Sequence, residues 1–220
     1  MVDARAGLVA MVQSPPPPPP LPPPTPAPTT APKDSCVCAE AVVQNGWCTA
    51  CDRGYVAGIV IRLEMLWEAL DAHGHVIDPD RIECSQCQLA LAQDGFCESC
   101  RWGFVGQQLY YSRLTYLLAR GQVVSELACA QCREASADPC WCGDCEAGMI
   151  GNVRLDDRSL FLLAVPELAR LRRAIELTKQ CRFCAVASFL DSRCMKCRIE
   201  YRNGQSIPLS EPPPTSRPKE

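Results

Sequence analysis

The sequence lacks long apolar runs, has few aromatic residues and carries no excess of basic charge. No stretch of its 220 residues approaches the roughly 20 consecutive apolar residues of a membrane-spanning helix, so we expect no such helix. Lysine and arginine number 22 against 25 aspartates and glutamates, which gives a formal charge of −3. Affinity for nucleic acid comes mostly from basic side chains that neutralise phosphate, and this balance argues against a nucleic-acid partner.

The apolar residues are also few, and catalytic patterns are missing. The hydrophobic share of 47% includes 17 cysteines, and without them it falls to about 39%, below the usual value. We therefore expect no large apolar core, with metal ions or disulfides supplying the missing stability. The sequence shows no nucleophile with its base, no paired carboxylates and no glycine-rich phosphate loop, so we expect a non-enzymatic protein.

Proline marks the start of the chain. Twelve of the 20 prolines lie between Pro15 and Pro32, which predicts an extended polyproline II linker over residues 15–35. Residues 1–14 contain a short apolar run typical of a weak signal or anchor, and residues 209–220 are expected to be a disordered tail. Reduced thiols favour the cytoplasm, whereas this N-terminus favours an exported or envelope-tethered protein, and the localisation stays open.

Sixteen cysteines recur as closely spaced pairs, and nine residues separate the two pairs of each set. The sets are Cys36, Cys38, Cys48 and Cys51; Cys84, Cys87, Cys97 and Cys100; Cys129, Cys132, Cys142 and Cys145; and Cys181, Cys184, Cys194 and Cys197. They begin 48, 45 and 52 residues apart. This spacing predicts four repeats of one unit, at residues 36–80, 81–125, 126–179 and 180–208.

Two C-x2-C pairs a short loop apart are the ligand pattern of a four-cysteine zinc site, because each pair supplies two thiolates from one tight turn. The segment from Cys84 to Cys100, with Gly95-Phe96 before its third cysteine, resembles the short zinc-ribbon motif. The resemblance implies a ribbon fold and all sixteen cysteines as ligands of about four Zn²⁺ ions. Cys36-Val-Cys38 departs from the pattern because only one residue separates the two cysteines.

The same cysteines could instead form disulfides, a redox motif or an iron site. Complete disulfide pairing is impossible because 17 is odd, and no βαβ unit is visible to hold a thioredoxin-like motif. A rubredoxin-like iron site needs the same four thiolates, so the sequence does not separate zinc from iron. We interpret Cys140 as a small buried residue rather than a spare ligand, and the His73–His75 pair as a solvated turn rather than a chelating pair.

Apolar residues at helical spacing between the cysteine sets predict connecting helices. We expect them at residues 59–73, 110–118 and 159–179, the last with Pro166 at a helix start. Glycines such as Gly54 and Gly103 suit turns with positive φ, and Asn203-Gly204 predicts a tight hairpin. The predicted fold is small, metal-stabilised α+β, with four tandem zinc-ribbon hairpins joined by single amphipathic helices. The fourth repeat, which lacks a connecting helix, is expected to be a cap.

Two functions from different classes follow. In the first, structural zinc sites hold repeats that present a surface to another protein. Its candidate anchors are the aromatic residues Trp47, Trp67, Phe96, Trp102 and Trp141. In the second, the sites buffer, sense or carry zinc or another soft metal ion.

Charge makes a nucleic-acid-binding ribbon the weaker alternative. Four occupied sites would bring the chain to about −11, although residues 154–205 hold 11 basic and 6 acidic residues. We favour the protein-interaction function, and the partner and the oligomeric state stay open.

Overall fold

Seven α-helices lie in the part of the chain that the computed structural model describes, residues 36–127, 129–135 and 138–209. They are α1 (Cys38–Gln44), α2 (Glu64–Leu70), α3 (Ser85–Ala92), α4 (Arg113–Ala119), α5 (Ala130–Ala135), α6 (Arg158–Leu177) and α7 (Arg182–Phe189). None of these helices is long and apolar enough to cross a membrane. The predicted segments at 1–14 and 15–35, and the predicted tail from residue 210 onward, lie outside the described residues.

Fourteen short strands form four small antiparallel sheets in the same part of the chain. Three-stranded sheets are formed by β1 (Trp47–Cys48), β2 (Arg53–Val56) and β3 (Ile59–Ile61), and by β12 (Arg193–Cys194), β13 (Ile199–Arg202) and β14 (Gln205–Pro208). In chain order, the four-stranded sheets contain β4 (His75–Val76), β5 (Phe96–Cys97), β6 (Trp102–Val105) and β7 (Gln108–Tyr110), and β8 (Gln122–Val123), β9 (Trp141–Cys142), β10 (Ala147–Ile150) and β11 (Val153–Leu155). The edge strands β4 and β8 follow α2 and α4 in the chain. They pair with β7 and β11, so each adds a strand to the sheet of the next cysteine-bearing hairpin.

Two-residue turns close the main hairpin of every sheet. Ala57-Gly58, Gly106-Gln107 and Asn203-Gly204 have positive φ at both positions, as type I′ turns require for the right-handed twist of the flanking strands. The predicted turn at Asn203-Gly204 is therefore confirmed, with Arg202 opposite Gln205.

A short helix, here called a spacer helix, begins at or within the first cysteine pair of each set and extends into the nine-residue gap, a feature that was not predicted. α1, α3, α5 and α7 each begin beside the first cysteine pair and end before the strand that carries the third cysteine. Helices of six to eight residues are too short to show a clear apolar period and are marginal in isolation. Their stability depends on the contacts that they make with the hairpin.

The connecting helices exist, but two begin later than predicted. Ile59 and Tyr110 lie in β3 and β7, because each apolar run begins as the last strand of a hairpin and becomes helical only at Glu64 or Arg113. The third helix, α6, contains Pro166 in its interior rather than at its start. It begins instead after Asp157, whose carboxylate accepts hydrogen bonds from two backbone amides of the first turn.

Three strand glycines allow an aromatic ring to pack directly on the sheet, and none of them has positive φ. A Cβ atom at any of these positions would clash with a ring of the connecting helix that follows. The pairs are Gly54 with Trp67, Gly103 with Tyr116 and Gly148 with Phe161. The prediction that these glycines serve positive-φ turns is therefore wrong, and close approach is the reason for them.

The connecting helices meet in a central core of nineteen buried residues drawn from all four repeat ranges. Leu66, Leu117, Leu168 and Phe189 come from α2, α4, α6 and α7 and are at most 5% exposed. The expectation that no large core forms is therefore wrong. The apolar share is an average over the chain, whereas the connecting helices concentrate their leucines on faces that meet at one place.

Candidate metal centres

The sixteen predicted cysteines lie together in four groups, in the sets that their spacing predicts. Within each group the four Sγ atoms lie within 4.8 Å of one another. All seventeen cysteines belong to the described residues, and none of them is in a disulfide. Each group can therefore offer four sulfur ligands to a single ion.

The sulfur spacing fits a tetrahedral site. With a metal–sulfur distance of about 2.3 Å, the sulfurs of a regular tetrahedron lie about 3.8 Å apart. The Sγ atoms of Cys129 and Cys142 are 3.9 Å apart, as are those of Cys181 and Cys194. A disulfide would bring such atoms to about 2 Å. Four thiolates suit zinc and iron alike, so the donor set supports a metal ion without identifying the metal.

The first cysteine of each group lies at or just before the start of a short helix, where backbone amides stabilise a thiolate. Hydrogen bonds from the amide three residues later lower the pKa of Cys84, Cys129 and Cys181 to about 7. In the first group, a hydrogen bond from the Cys38 amide lowers the pKa of Cys36. The thiolate is the form that binds metal, so the amides at the start of the spacer helices favour the metal-binding form of the first cysteine.

In three groups the pKa of the second cysteine is raised rather than lowered. Burial raises the pKa of Cys132 and Cys184 to about 12, and it also raises the pKa of Cys87. These three side chains are at most 4% exposed. A thiolate at such a position needs a neighbouring positive charge, and a bound cation would supply it.

The residue after the fourth cysteine of every group has positive φ. These residues are Asp52, Arg101, Glu146 and Arg198, with φ of 50°, 59°, 47° and 56°. None is a glycine or an asparagine, the residues that usually adopt this conformation. The shared backbone turn therefore has no signal in the sequence.

A tyrosine hydroxyl supplements two of the groups. Tyr201 donates a hydrogen bond to the Cys184 sulfur, and burial raises the pKa of Tyr201. Tyr55 is hydrogen-bonded to Cys38 in the first group, which raises the pKa of Tyr55. Both tyrosines lie four residues after the fourth cysteine, and this constant offset is the sequence signal that would have found them.

Cys140 lies outside the four groups. It occupies the turn position that Gly46, Gly95 and Ser192 occupy in the other hairpins. In all four hairpins, the carbonyl at this position accepts a hydrogen bond from an amide of the second strand. Cys140 is half-buried against the third cysteine group. It therefore has the position of a turn residue rather than of a ligand.

The two histidines contact different partners. His73 Nε2 lies 3.1 Å from the Gln44 carbonyl, whereas His75 Nε2 lies 2.8 Å from both carboxylate oxygens of Asp71. His75 lies in β4 rather than in a turn. The pair is therefore not arranged as a chelate.

The aromatic residue before the third cysteine packs on a connecting helix rather than standing free. Ring centroids lie 5.5 to 5.8 Å apart in the pairs Trp47 with Trp67, Phe96 with Tyr116, and Trp141 with Phe161. These rings flank the strand glycines described above. All five candidate anchors are half-buried, and the fifth, Trp102, packs against the apolar cluster of the second hairpin.

The first group differs from the others. One residue separates Cys36 from Cys38, so α1 begins at its second cysteine, whereas α3, α5 and α7 begin two residues before theirs. Cys36 is exposed and Cys38 is only half-buried, although Cys48 is fully buried. The Sγ atoms of Cys36 and Cys51 lie 3.3 Å apart, closer than the edge of a regular site. This group is the most open to solvent.

Together these features define a cysteine-rich α+β protein with four groups of four cysteines suited to metal ions. Comparison of the chain with protein-family models, with curated proteins and with solved structures finds no match. The resemblance to zinc ribbons therefore depends on the cysteine motifs and on their geometry alone.

Proposed function

We propose that the chain is a non-enzymatic tandem zinc-ribbon protein whose four metal ions are structural and whose packed repeats present a surface to another protein. The observation that carries the proposal is the burial of the third cysteine in every group and of the second cysteine in three of them. Ligands that form part of the apolar interior hold a metal ion as an element of the fold. Such an ion should leave only when the surrounding structure opens.

The energetics support metal as a folding element. Each hairpin contributes only a small apolar cluster around its cysteines, and a unit of this size rarely folds on apolar burial alone. A structural zinc site contributes about 10 to 16 kcal/mol of apparent binding free energy. We therefore expect the metal-free chain to lose its hairpins.

The ligand set argues for structural rather than catalytic metal. A catalytic zinc site has three protein ligands and keeps its fourth position for water or substrate. Here each group supplies four sulfur atoms, so a bound ion would have no vacant position. The thiolates can hold the metal and compensate its charge, and they provide no group for acid–base chemistry on a substrate.

The test is native mass spectrometry of the protein purified without added metal, followed by titration with a chelator of intermediate affinity. We expect close to four zinc ions, and helical circular dichroism that falls as they are removed. Iron would be identified by its mass and by the visible absorption of an iron–thiolate site. A protein that retains its helices after losing all of its metal would contradict the proposal.

The first group supports a second candidate function, the handling of metal ions. Its first cysteine is exposed, and its second lies outside the apolar interior that holds the equivalent cysteine elsewhere. If this site exchanges metal, the chelator should remove one ion early while helicity and the other three ions remain. Cys38→Ser should then abolish the early phase, and Cys87→Ser should leave it in place.

A further inference from the structure

The fourth cysteine group differs from the others in the residues between its cysteines. They are Arg182 and Phe183 in the first pair and Met195 and Lys196 in the second. The corresponding residues are Ser85, Gln86, Glu98 and Ser99 in the second group, and Ala130, Gln131, Gly143 and Asp144 in the third. Only the fourth group therefore combines large apolar side chains with basic ones.

These apolar side chains are open to solvent. Phe183 is 45% exposed and Met195 is 74% exposed. They line a groove of about 380 Å³ together with Met65 of α2, which is 37% exposed. Because α2 packs against α7, residues from the first and fourth repeats form this groove together. Exposed apolar side chains grouped on one surface are a usual feature of interaction sites.

Basic side chains border the groove. Arg193 and Lys196 are among its lining residues, and Arg182 precedes Phe183 in the exposed first turn of α7. Arg193 pairs with Glu200 across the hairpin. Among the described residues, Arg182 and Lys196 have no acidic partner. The groove therefore has Lys196 in its lining and Arg182 next to its lining residue Phe183, both without an acidic side-chain partner, beside an apolar floor.

We propose that this groove, lined by Met65, Phe183, Met195 and Lys196 and with Arg182 next to Phe183 in the chain, binds an acidic segment of a partner protein through a large apolar side chain. This inference rests on the proposed protein-interaction function and names its surface and the chemistry of its partner. The apolar residue of the segment enters the groove, and its carboxylates face the two free cations. Buried apolar anchors surrounded by charge are the usual source of interface affinity.

Charge favours a peptide over a nucleic acid as the occupant. With metal bound, residues 154–205 carry about +3, whereas the whole chain carries about −11. A strand that follows the surface would meet this negative charge beyond the groove. Nucleic-acid binding also uses roughly 6 to 10 phosphate contacts in strong cases, and two free cations supply far fewer. A short acidic segment needs only the groove and its border.

The test measures fluorescence anisotropy of the labelled acidic peptide DEDLFEELDE with the metal-loaded, full-length protein. We expect binding that weakens as salt is raised and that is lost when the apolar residues of the peptide are replaced by serine. Lys196→Glu and Phe183→Ser should each weaken it by about tenfold or more. Ser99→Glu, at the position equivalent to Lys196 in the second group, should leave it unchanged.

Four results would overturn the proposal. The first is no peptide binding by protein that holds four ions, and the second is equal binding by all variants. The third is tighter binding of a single-stranded oligonucleotide. The fourth is peptide binding that appears only after residues 210–220 are deleted, which would make the chain's own C-terminal segment the occupant. Metal content is measured on every sample, which separates this proposal from the proposed function. Protein with four tightly held ions and no peptide binding contradicts only the groove, whereas folded protein without metal contradicts the structural role of the sites.

Discussion

Within a cysteine group, different physical effects determine how readily the first and the second cysteine ionise. The outer first cysteine is stabilised as a thiolate by a backbone amide, whereas burial opposes ionisation of the second cysteine in three groups. Without a cation beside them, burial would keep the thiols of Cys87, Cys132 and Cys184 protonated at neutral pH. We therefore expect the bound metal to contribute most to the free energy of unfolding at the most buried cysteines.

Cys87→Ser in the second group is expected to cost one metal ion and at least about 4 kcal/mol of unfolding free energy. The loss follows because a buried hydroxyl replaces a metal-binding thiolate at a position that is fully shielded from water. Native mass spectrometry and urea unfolding measure the two quantities.

Cys140→Ser is the matched control for that substitution. It should retain all four ions, because serine already occupies the equivalent turn position at Ser192. If Cys87→Ser retains four ions, or if Cys140→Ser loses one, the assignment of ligands is wrong.

At the scale of elements, the strand glycines determine how each hairpin joins its helix. Gly103 and Gly148 leave room for a ring from the next helix to lie on the sheet, and a second ring from β5 or β9 packs beside it. The fourth hairpin has Glu200 at the corresponding position, paired with Arg193. The fourth hairpin therefore lacks the glycine that admits a ring in the other hairpins.

Gly148→Ala should therefore destabilise the protein by about 1 to 3 kcal/mol, because the new methyl group would overlap the Phe161 ring. Gly143→Ala in the same hairpin is the control, since nothing lies within 4 Å of the added methyl and its φ is ordinary. It should be neutral or slightly stabilising. Thermal unfolding by circular dichroism separates the two, and equal melting temperatures would refute the close-approach explanation.

The elements also show which signals a sequence carries. Cysteine spacing identified all four groups, because a ligand set has a fixed geometry that requires fixed spacing. The starts of α2 and α4 were misplaced because the apolar residues of β3 and β7 continue the helical period by coincidence. The spacer helices are shorter than the window over which periodicity is detected. The positive-φ residues after the fourth cysteines are imposed by the knuckle and not by their own propensity.

At the scale of the whole molecule, contacts between distant cysteine-bearing units make the structure more than a row of hairpins. The amide of Asn152 donates to the Ala57 carbonyl at 2.9 Å, joining the third hairpin to the first. The Asp191 carboxylate accepts hydrogen bonds from Arg101 and Arg170, at 3.2 and 2.9 Å. In a linear repeat array each unit contacts only its neighbours. Here the first and third cysteine-bearing units touch, as do the second and fourth.

The shared core predicts that the four metal sites are lost together. Leu171 of α6 is fully buried in this core, and Leu171→Ala should cost about 2 to 5 kcal/mol through lost burial and an unfilled cavity. Because the helices of all the repeats meet there, heating should release metal from every group in one transition at a lower temperature than in the unaltered protein. A zinc-sensitive dye, followed alongside circular dichroism, measures this release.

Leu162→Ala tests whether the effect belongs to the core rather than to the helix. Leu162 lies on the same helix but is 60% exposed, so its replacement should change the unfolding free energy by no more than about 0.5 kcal/mol. If Leu171→Ala lowers the release temperature of only one or two ions, the repeats unfold independently and the core couples them weakly. If all the ions shift together and Leu162→Ala shifts none, the metal sites and the core form one cooperative structure, in which each bound ion stabilises hairpins that it does not touch.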